Sequence, residues 1–240
     1  MSLTIRLGRF FFRFRNALFP VFFFALALPW PPIEAHAGSR WLYWALGLTL
    51  ISLGQVIRAL TIGLVYIIRG GRKGRIYAQG LVSEGIYAHS RNPMYVGNIL
   101  IVLGFAFVAD TWPFFLIGIP LFLLIYWSIT KAEESYLLKE FGDAYRAYMR
   151  NVPRFLPRLK NLTLTVRSMR FRWKKLVSSE YGTTFGWIAG VIFLTMKNVI
   201  IDQGLSNALP RLEVLGVAFG AFFSLYLTAR YLKKAGRLKG

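Results

Sequence analysis

Two short polar segments carry the side chains of this sequence that are best suited to chemistry. The first runs from His89 to Gly97, and the second runs from Glu133 to Pro157. Both border strongly apolar stretches, where an ionisable side chain is costly to bury and is a functional hypothesis by default. Together they predict a water-side pocket that is built onto membrane helices.

Glu133 and Glu134 are adjacent carboxylates that follow an apolar block. Two such groups repel each other, and burying them without partners costs desolvation energy. The pair therefore suits a cationic ligand rich in hydrogen-bond donors, such as a sulfonium cofactor with ribose hydroxyls. The alternative interpretation is a solvated helix start.

Arg91, Asn92 and Pro93 open another apolar block. Proline is common in a first helical turn, because its missing N–H has no partner there. The free N–H groups of that turn can hold an anion. Tyr95 and Gly97 follow, and glycine allows the close approach of a ligand or a helix. An ordinary helix start is the alternative.

Arg58 lies inside an apolar block, one turn after Gln55. An arginine in the middle of a membrane helix must face the protein interior, a partner or water. We expect Arg58 on the inner face of the bundle, where it binds a substrate carboxylate or pairs with Glu133 or Glu134. A structural ion pair is the alternative.

The composition is that of a membrane protein, with 55% hydrophobic and 17% aromatic residues and a net charge of +20. The basic residues lie between and after apolar blocks, so anionic headgroups explain them better than nucleic acid does. The absence of cysteine excludes disulfides, thiolate metal sites and a cysteine nucleophile. With two histidines in the chain, no metal site is expected.

Long apolar runs predict an all-α, polytopic membrane bundle of about six helices with a cytoplasmic cofactor pocket. The third and fourth blocks are short and joined by Asp110-Thr111, which predicts a tight hairpin. The first block is interpreted as a retained helix or signal anchor. The six blocks are Phe10 to Trp30, Trp41 to Ile68, Met94 to Ala109, Trp112 to Ile129, Tyr181 to Ile201 and Leu212 to Tyr231.

The polar connections divide the chain further. Gly70 to Arg75 predicts a glycine-rich basic turn, Lys131 to Arg150 an amphipathic helix, and Phe155 to Lys175 a basic segment on the headgroups. The expected units are residues 1–78 (two membrane helices), 79–158 (the core with the candidate site), 159–180 (a basic interfacial linker) and 181–240 (two further helices).

The distribution of basic residues predicts the topology. The N-terminal arm, residues 69–91, residues 131–175 and the tail from Arg230 together hold 26 of the 30 Lys and Arg residues. Six spans place all four segments on one side, and the positive-inside rule makes that side the cytoplasm. Both termini are then cytoplasmic, in a bacterial inner membrane or an ER-type membrane.

Taken together, these segments resemble the isoprenylcysteine carboxyl methyltransferases and the related phospholipid N-methyltransferases. The resemblance covers Gly80 to Pro157 and depends on the order and spacing of several short motifs. The matching residues are Gly85-Ile86-Tyr87, Arg91, Pro93, Tyr95, Gly97, Gly104, Glu133-Glu134, Leu137, Phe141-Gly142, Tyr145, Tyr148 and Val152-Pro153.

The resemblance implies an integral-membrane methyltransferase that uses S-adenosyl-L-methionine and acts on a membrane lipid or a lipidated, isoprenylcysteine-like acceptor. By motif position, it assigns cofactor binding to His89, Asn92, Pro93, Tyr95, Gly97, Glu133 and Glu134. Catalytic roles fall to Arg91, Glu134 and Arg154, and substrate binding to Arg58 and Tyr145. Contacts with anionic headgroups and oligomerisation through the C-terminal helices are further expectations.

One position departs from the family pattern, because Asn92 stands where the family has histidine. Asparagine keeps a donor and an acceptor but cannot exchange protons near neutral pH. A carboxylate acceptor needs only alignment, by Arg91 or Arg154. An amine acceptor would need Glu133, Glu134 or Tyr95 as base. We expect an apolar acceptor to enter between the third and fourth blocks.

Two other classes of function remain open at this point. One is an NADPH-dependent membrane reductase of the sterol-reductase type, which resembles the same helical core but has more helices ahead of it. The other is a non-enzymatic membrane scaffold or transporter subunit whose basic loops bind anionic lipid. In the second case, Glu133 and Glu134 would be dispensable.

Overall fold

The computed structural model describes residues 2–64, 69–72, 75–78 and 80–238. Its helices are α1 (Leu3–Ala27), α2 (Arg40–Leu64), α3 (Pro93–Ala109), α4 (Ile119–Asn151), α5 (Leu162–Ser168) and α6 (Trp173–Lys234). The predicted all-α membrane bundle is confirmed. It carries one small β ribbon, in which β1 (Arg69–Arg72) pairs antiparallel with β2 (Arg75–Ala78). The ribbon lies where the glycine-rich turn was predicted, and residues 73 and 74 of that turn lie outside the described residues.

In the part of the chain that the structure describes, four helical segments are long and apolar enough to cross a membrane, so the chain is an integral membrane protein. They are Leu3–Ala27, Glu34–Leu64, Phe114–Asn151 and Trp173–Lys234. With 17 residues, α3 is about 25 Å long, which is shorter than a hydrocarbon core of about 30 Å. The fourth block continues without a break into the helix that was predicted from Lys131. Gly142, with φ 51° and ψ −123°, interrupts the helical conformation before the last turns to Asn151.

The fifth and sixth apolar blocks are two arms of α6. Gly204 has φ 72° and ψ 157°, a conformation open to glycine, and it reverses the chain between residues 173–203 and 205–234. Aromatic pairs join the two arms, among them Tyr181 with Tyr226 and Phe193 with Phe219. The first arm begins at Trp173, inside the predicted interfacial linker.

Successive helices alternate in direction, which brings the four basic segments to one end of the bundle. Gly8 of α1 lies against Ser128 of α4. Near the end of α2, Gly63 accepts a hydrogen bond from the Arg172 N–H at 2.9 Å. The Lys233 ammonium reaches the Ser178 carbonyl at 2.6 Å. We call this the basic end of the bundle, and the opposite end the far end.

The far end is held by the turn between α3 and α4, which forms the predicted tight hairpin. Asp110 caps α3 in a left-handed conformation with φ 52°. Its buried carboxylate accepts a hydrogen bond from the His36 Nδ1 at 2.7 Å and lies 3.6 Å from the Arg40 Nε. The pKa of the Asp110 carboxyl is raised above its ordinary value, chiefly by burial. The hydrogen bond from His36 acts in the opposite direction and offsets part of this rise. Arg40 also pairs with Asp202, so one cluster joins α2, α3 and α6.

Glycines bring α2 and α3 into very close contact. A Cβ atom on Gly104 would lie 2.5 Å from the Gly47 carbonyl oxygen, and one on Gly54 would lie 2.5 Å from the Gly97 carbonyl oxygen. No real side chain fits at such a distance, so the backbones of the two helices touch. This contact fixes the rotation of α3 and therefore the direction of every side chain it presents to the site.

We predict that Gly104→Ala destabilises the bundle, because the new methyl group must displace the α2 backbone. Overpacking of this kind costs about 1–3 kcal/mol, and thermal unfolding of the purified protein in detergent measures it. Gly216→Ala is the matched control, since a Cβ there meets no described atom within 4 Å. An equal unfolding temperature for the two variants would contradict the proposed contact.

Candidate functional site

The two polar segments singled out in the sequence lie side by side at the basic end. Their backbones are joined by the Arg91 N–H, which donates to the Pro153 carbonyl at 2.9 Å, and by the Arg158 N–H, which donates to the His89 carbonyl at 2.9 Å. The Asn92 amide adds a hydrogen bond to the Arg154 carbonyl at 3.1 Å. The segment before α3 and the segment after α4 are therefore one structural unit.

His89 belongs to this unit through both ring nitrogens. Its Nδ1 lies 2.7 Å from the Arg158 carbonyl, and its Nε2 lies 2.9 Å from the Thr165 hydroxyl. Because a carbonyl only accepts, Nδ1 carries the proton, and Nε2 of the neutral ring then accepts from Thr165. These bonds hold α5 against the site. They engage both ring nitrogens of His89, a residue to which the resemblance assigns cofactor binding.

Glu134 bridges two arginines. Arg154 donates to it from Nε at 2.8 Å and from Nη2 at 2.9 Å, a bidentate pair. The Arg91 Nη1 lies 2.9 Å from the same carboxylate. The Arg154 guanidinium also lies over the Trp127 ring, 4.7 Å from its centre. Glu134 therefore neutralises two basic groups of the protein, and together they hold α4 to the segment that follows it.

Glu133 has different surroundings, although it is the next residue. It accepts a hydrogen bond from the Tyr95 hydroxyl at 2.7 Å and is 9% exposed. Its side chain lines a cavity of about 1100 Å³. Of the two predicted acidic residues, Glu133 is thus the one that faces an open space.

The cavity lies between α1, α3, α4 and the first arm of α6, and it is polar at the basic end and aromatic further along. Polar lining residues are Arg15, Asn16, Arg58, Arg91, Asn92, Tyr95, Asn98, Tyr126 and Glu133. Aromatic lining residues include Phe12, Phe19, Phe23, Phe105, Phe122, Trp187 and Phe193. Five predicted site residues, Arg58, Arg91, Asn92, Tyr95 and Glu133, therefore share one cavity.

Six other predicted site residues are absent from the lining of this cavity, as the described part of the chain forms it. They are His89, Pro93, Gly97, Glu134, Tyr145 and Arg154. Gly97 faces α2, where a Cβ would lie 2.7 Å from the Gly54 carbonyl oxygen. Tyr145 is fully buried in an apolar cluster with Leu137 and Val152. Pro93 occupies the first turn of α3. The roles that the resemblance assigns to these six residues stay predictions.

Arg58 lies on the inner face of the bundle as predicted, and Glu180 is its ion-pair partner. Its Nε and Nη2 donate to the Glu180 carboxylate at 2.8 and 2.6 Å, and its Nη1 contacts Asn98. Nearby, Gln55 of α2 donates to Thr184 of α6 at 3.2 Å. The structural ion pair that the sequence left open is the arrangement found.

Sequence reasoning missed Arg15, Asn98 and Glu180. Each is a polar residue within or at the start of an apolar run, which is a signal for a functional or paired residue. Asn98 lies one turn beyond Tyr95 in a strongly apolar helix, so this signal could have identified it. The partner of Glu180 could not be identified in this way, because Arg58 is distant in the sequence.

The sequence model of the phospholipid methyltransferase family matches residues 42–144. This segment includes α2, α3 and the part of α4 that carries Glu133, and therefore most of the polar end of the cavity. Over this segment, the chain is similar to the phospholipid methyltransferase family. The resemblance inferred from the sequence is thus confirmed, while the individual roles of the site residues stay predictions.

Curated relatives point in the same direction. The chain is 36% identical over 81 residues to a protein-S-isoprenylcysteine O-methyltransferase of Schizosaccharomyces pombe, covering 32% of this chain and 33% of that protein. It is 29% identical over 143 residues to protein-S-isoprenylcysteine O-methyltransferase B of Arabidopsis thaliana, covering 53% and 64%. It is also 31% identical over 114 residues to a cobalt-zinc-cadmium resistance protein of Cupriavidus metallidurans, covering 48% and 47%.

The matches are partial, since the chain covers between a third and just under two thirds of these relatives. No solved structure matches the chain. Residues 173–234, which form α6 and part of the cavity wall, lie outside the family match.

We predict that Glu134→Gln lowers the stability of the protein, because it leaves two guanidinium groups without their shared charge. Removing one partner of a buried pair costs about 3 kcal/mol, and thermal unfolding in nanodiscs measures the loss. Asp143→Asn is the control, since it removes a carboxylate from an ion pair with Arg146 that is exposed. Equal unfolding temperatures for both variants would exclude a structural role for Glu134.

Proposed function

We propose that this chain is an integral-membrane methyltransferase that uses S-adenosyl-L-methionine and methylates an acceptor with an apolar chain. The observation that carries the proposal is the cavity of about 1100 Å³, which joins a polar, charged end to an aromatic interior. The match to the phospholipid methyltransferase family over residues 42–144 supports the reaction type.

The residues at the polar end fit the chemical groups of S-adenosyl-L-methionine. Glu133 is a carboxylate in a largely enclosed space, where it can attract a sulfonium or an ammonium group. Arg91 lines the same space, and its Nε has no hydrogen-bond partner among the described residues, so it can bind a carboxylate. Asn92 adds amide hydrogen-bonding groups at the same end. When bound, the cofactor supplies a methyl group on a positively charged sulfur.

The residues of the chain act mainly by positioning and by excluding water. Methyl transfer from sulfur is an in-line displacement, so alignment of the acceptor supplies much of the rate. Tyr95 holds Glu133, while Glu134 and Arg154 hold Arg91 in place. Aromatic side chains keep the rest of the cavity apolar, which strengthens the electrostatic contacts at its polar end.

We propose that the acceptor presents a carboxylate. This group is ionised at neutral pH and needs alignment but no base. The residue that replaces the family histidine, Asn92, cannot serve as a base, and Glu134 is bound by two arginines. An amine acceptor would have to lose a proton to Glu133, the acidic residue of the pair that lines the cavity. The isoprenylcysteine O-methyltransferases among the relatives support the first alternative.

The prediction for cofactor binding concerns charge. Glu133→Gln should weaken S-adenosyl-L-methionine binding roughly tenfold, as expected for the loss of a charged partner worth about 1.5 kcal/mol. Binding of S-adenosylhomocysteine, which lacks the sulfonium charge, should change less. Isothermal titration calorimetry in nanodiscs measures both ligands.

Glu140→Gln is the control for this measurement, because Glu140 is an exposed carboxylate of the same helix. It should leave both affinities unchanged. Undetectable binding of S-adenosyl-L-methionine by the wild-type protein would refute the proposed function. Equal weakening for both ligands would refute the role of Glu133 but leave the function standing.

We further propose that the basic end and both termini face the cytoplasm, in agreement with the positive-inside rule. The absence of cysteine makes the test direct, because single cysteines can be introduced without a prior knockout. In whole cells, a membrane-impermeant maleimide should label Ser206→Cys, near the reversal of α6. It should label Ser2→Cys only after the membrane is opened. The reverse pattern would overturn this orientation.

A further inference from the structure

The first arm of α6 supplies one complete wall of the cavity, although it lies outside the family match. The lining side of this arm carries small residues at helical spacing, together with Trp187: Ser179, Gly182, Thr183, Gly186 and Gly190. Residues three and four apart share one face of a helix. The wall is therefore a shallow track with little side-chain relief.

The glycines of this track differ from the glycines that pack helices together. A Cβ on Gly104 or Gly97 would lie within 2.7 Å of a carbonyl oxygen on α2. A Cβ on Gly182 or Gly186 would meet no described atom within 4 Å. Helix packing explains the first kind and not the second, since Gly182 and Gly186 border open space.

The track closes at Gly190. A Cβ there would lie 3.1 Å from the Phe105 ring and 3.7 Å from the Phe23 ring. Beyond it, the Lys197 ammonium of α6 donates to the Ala27 and Trp30 carbonyls at 2.8 and 2.9 Å. These contacts join α6 to the C-terminal end of α1 at the far end of the bundle. The open part of the track therefore lies toward the basic end and has an aromatic stop.

The two helices that border this track, α1 and α6, are held by different contacts. Apart from its far end, α1 packs mainly on α4, whereas α6 is held to α2 by the ion pair between Arg58 and Glu180. The cavity occupies the gap between α1 and α6. Entry between α3 and α4, which was expected from the sequence, stays an alternative, and the small space beside Ile99 and Phe122 has no room for a water-sized sphere.

A second observation concerns the polar end of the same cavity. Arg91 is 7% exposed and lines this end, where its Nη1 lies 2.9 Å from the Glu134 carboxylate. Its guanidinium has five N–H donors, so it can also bind an acceptor from outside the chain. A carboxylate is its natural complement. The occupant that satisfies both ends has an anionic head and an apolar chain.

The size of the cavity allows this occupant to be present together with a cofactor. Its volume is about 1100 Å³, whereas pockets for one drug-sized ligand measure roughly 300–1,000 Å³. The polar residues of α3 and α4 and the glycine track of α6 lie on different walls of the cavity. Two ligands can therefore meet where these walls join, close to Arg91 and Glu133.

We propose that the apolar chain of the methyl acceptor lies on the glycine track of α6, formed by Gly182, Gly186 and Gly190, after entering from the bilayer between α1 and α6. This inference rests on the proposed function and names the element that selects the acceptor. The aromatic stop around Gly190 limits the length of chain that fits. In this arrangement, α6 determines which apolar chain of the acceptor is bound, whereas α3 and α4 bind the cofactor.

The test combines a variant that fills the track with a series of acceptors. Gly186→Leu places a side chain into open space, and Gly182→Leu does so one turn earlier. Gly220→Leu is the matched control, because a Cβ there also meets nothing within 4 Å and Gly220 is absent from the cavity lining. Substrates are cysteine derivatives that carry a geranyl, farnesyl or geranylgeranyl group, with labelled S-adenosyl-L-methionine as donor.

For Gly186→Leu, kcat/KM with the geranylgeranyl compound should fall roughly tenfold more than with the geranyl compound. Calorimetry should show unchanged binding of S-adenosyl-L-methionine, which also demonstrates that the variant is folded. Gly220→Leu should behave like the wild type. A chain-length dependence that is the same in all the variants and the wild type would overturn the inference, even if methyl transfer itself is observed.

A second readout does not depend on activity. A farnesyl cysteine with a diazirine on its chain should crosslink to residues 179–193, as mapped by mass spectrometry of the peptides. Crosslinks confined to other helices would overturn the inference. Equal labelling of the track by a phosphatidylcholine that carries a diazirine would also overturn the inference, if unlabelled farnesyl cysteine did not reduce that labelling. If the wild type labels on the track but binds no S-adenosyl-L-methionine, the proposed function fails and the chain-binding site stands.

Discussion

Glu134 connects the two halves of the site, because its single carboxylate binds Arg91 before α3 and Arg154 after α4. Arg91 could not be buried in this position without that negative charge, since an unpaired guanidinium in a low-dielectric environment is strongly unfavourable. The backbone hydrogen bonds between residues 89–92 and 153–158 reinforce the same junction. Everything that the polar end presents to the cavity depends on this bridge.

The bridge also separates the roles of two adjacent acidic residues. On a helix, consecutive side chains point about a quarter turn apart, so Glu133 and Glu134 cannot have the same surroundings. Glu134 faces the arginines and is neutralised within the protein. Glu133 faces the cavity, where Tyr95 orients it. The chain thus has one acidic group for its own structure and one at the polar end of the cavity.

A second constraint, the contact between α2 and α3, sets the shape of the cavity. Their glycine-mediated approach places Arg58 beside Asn98, and Arg58 in turn binds Glu180 of α6. The C-terminal helix is therefore attached to the segment that matches the family through a buried ion pair inside the membrane region. This attachment leaves the glycine face of α6 open toward α1, and the cavity gains a wall that residues 42–144 alone could not provide.

The sequence by itself determined the membrane class, the helical fold, the grouping of basic charge at one end and the family resemblance. The length of the apolar runs and the charge are local properties, and the spacing of the motifs is visible along the chain. Only the tertiary structure decided which glutamate faces the cavity, that Arg58 binds Glu180, and that His89 and Tyr145 are not among the described residues that line the cavity. These features depend on helix rotation and on contacts between residues far apart in the chain, which no local pattern records.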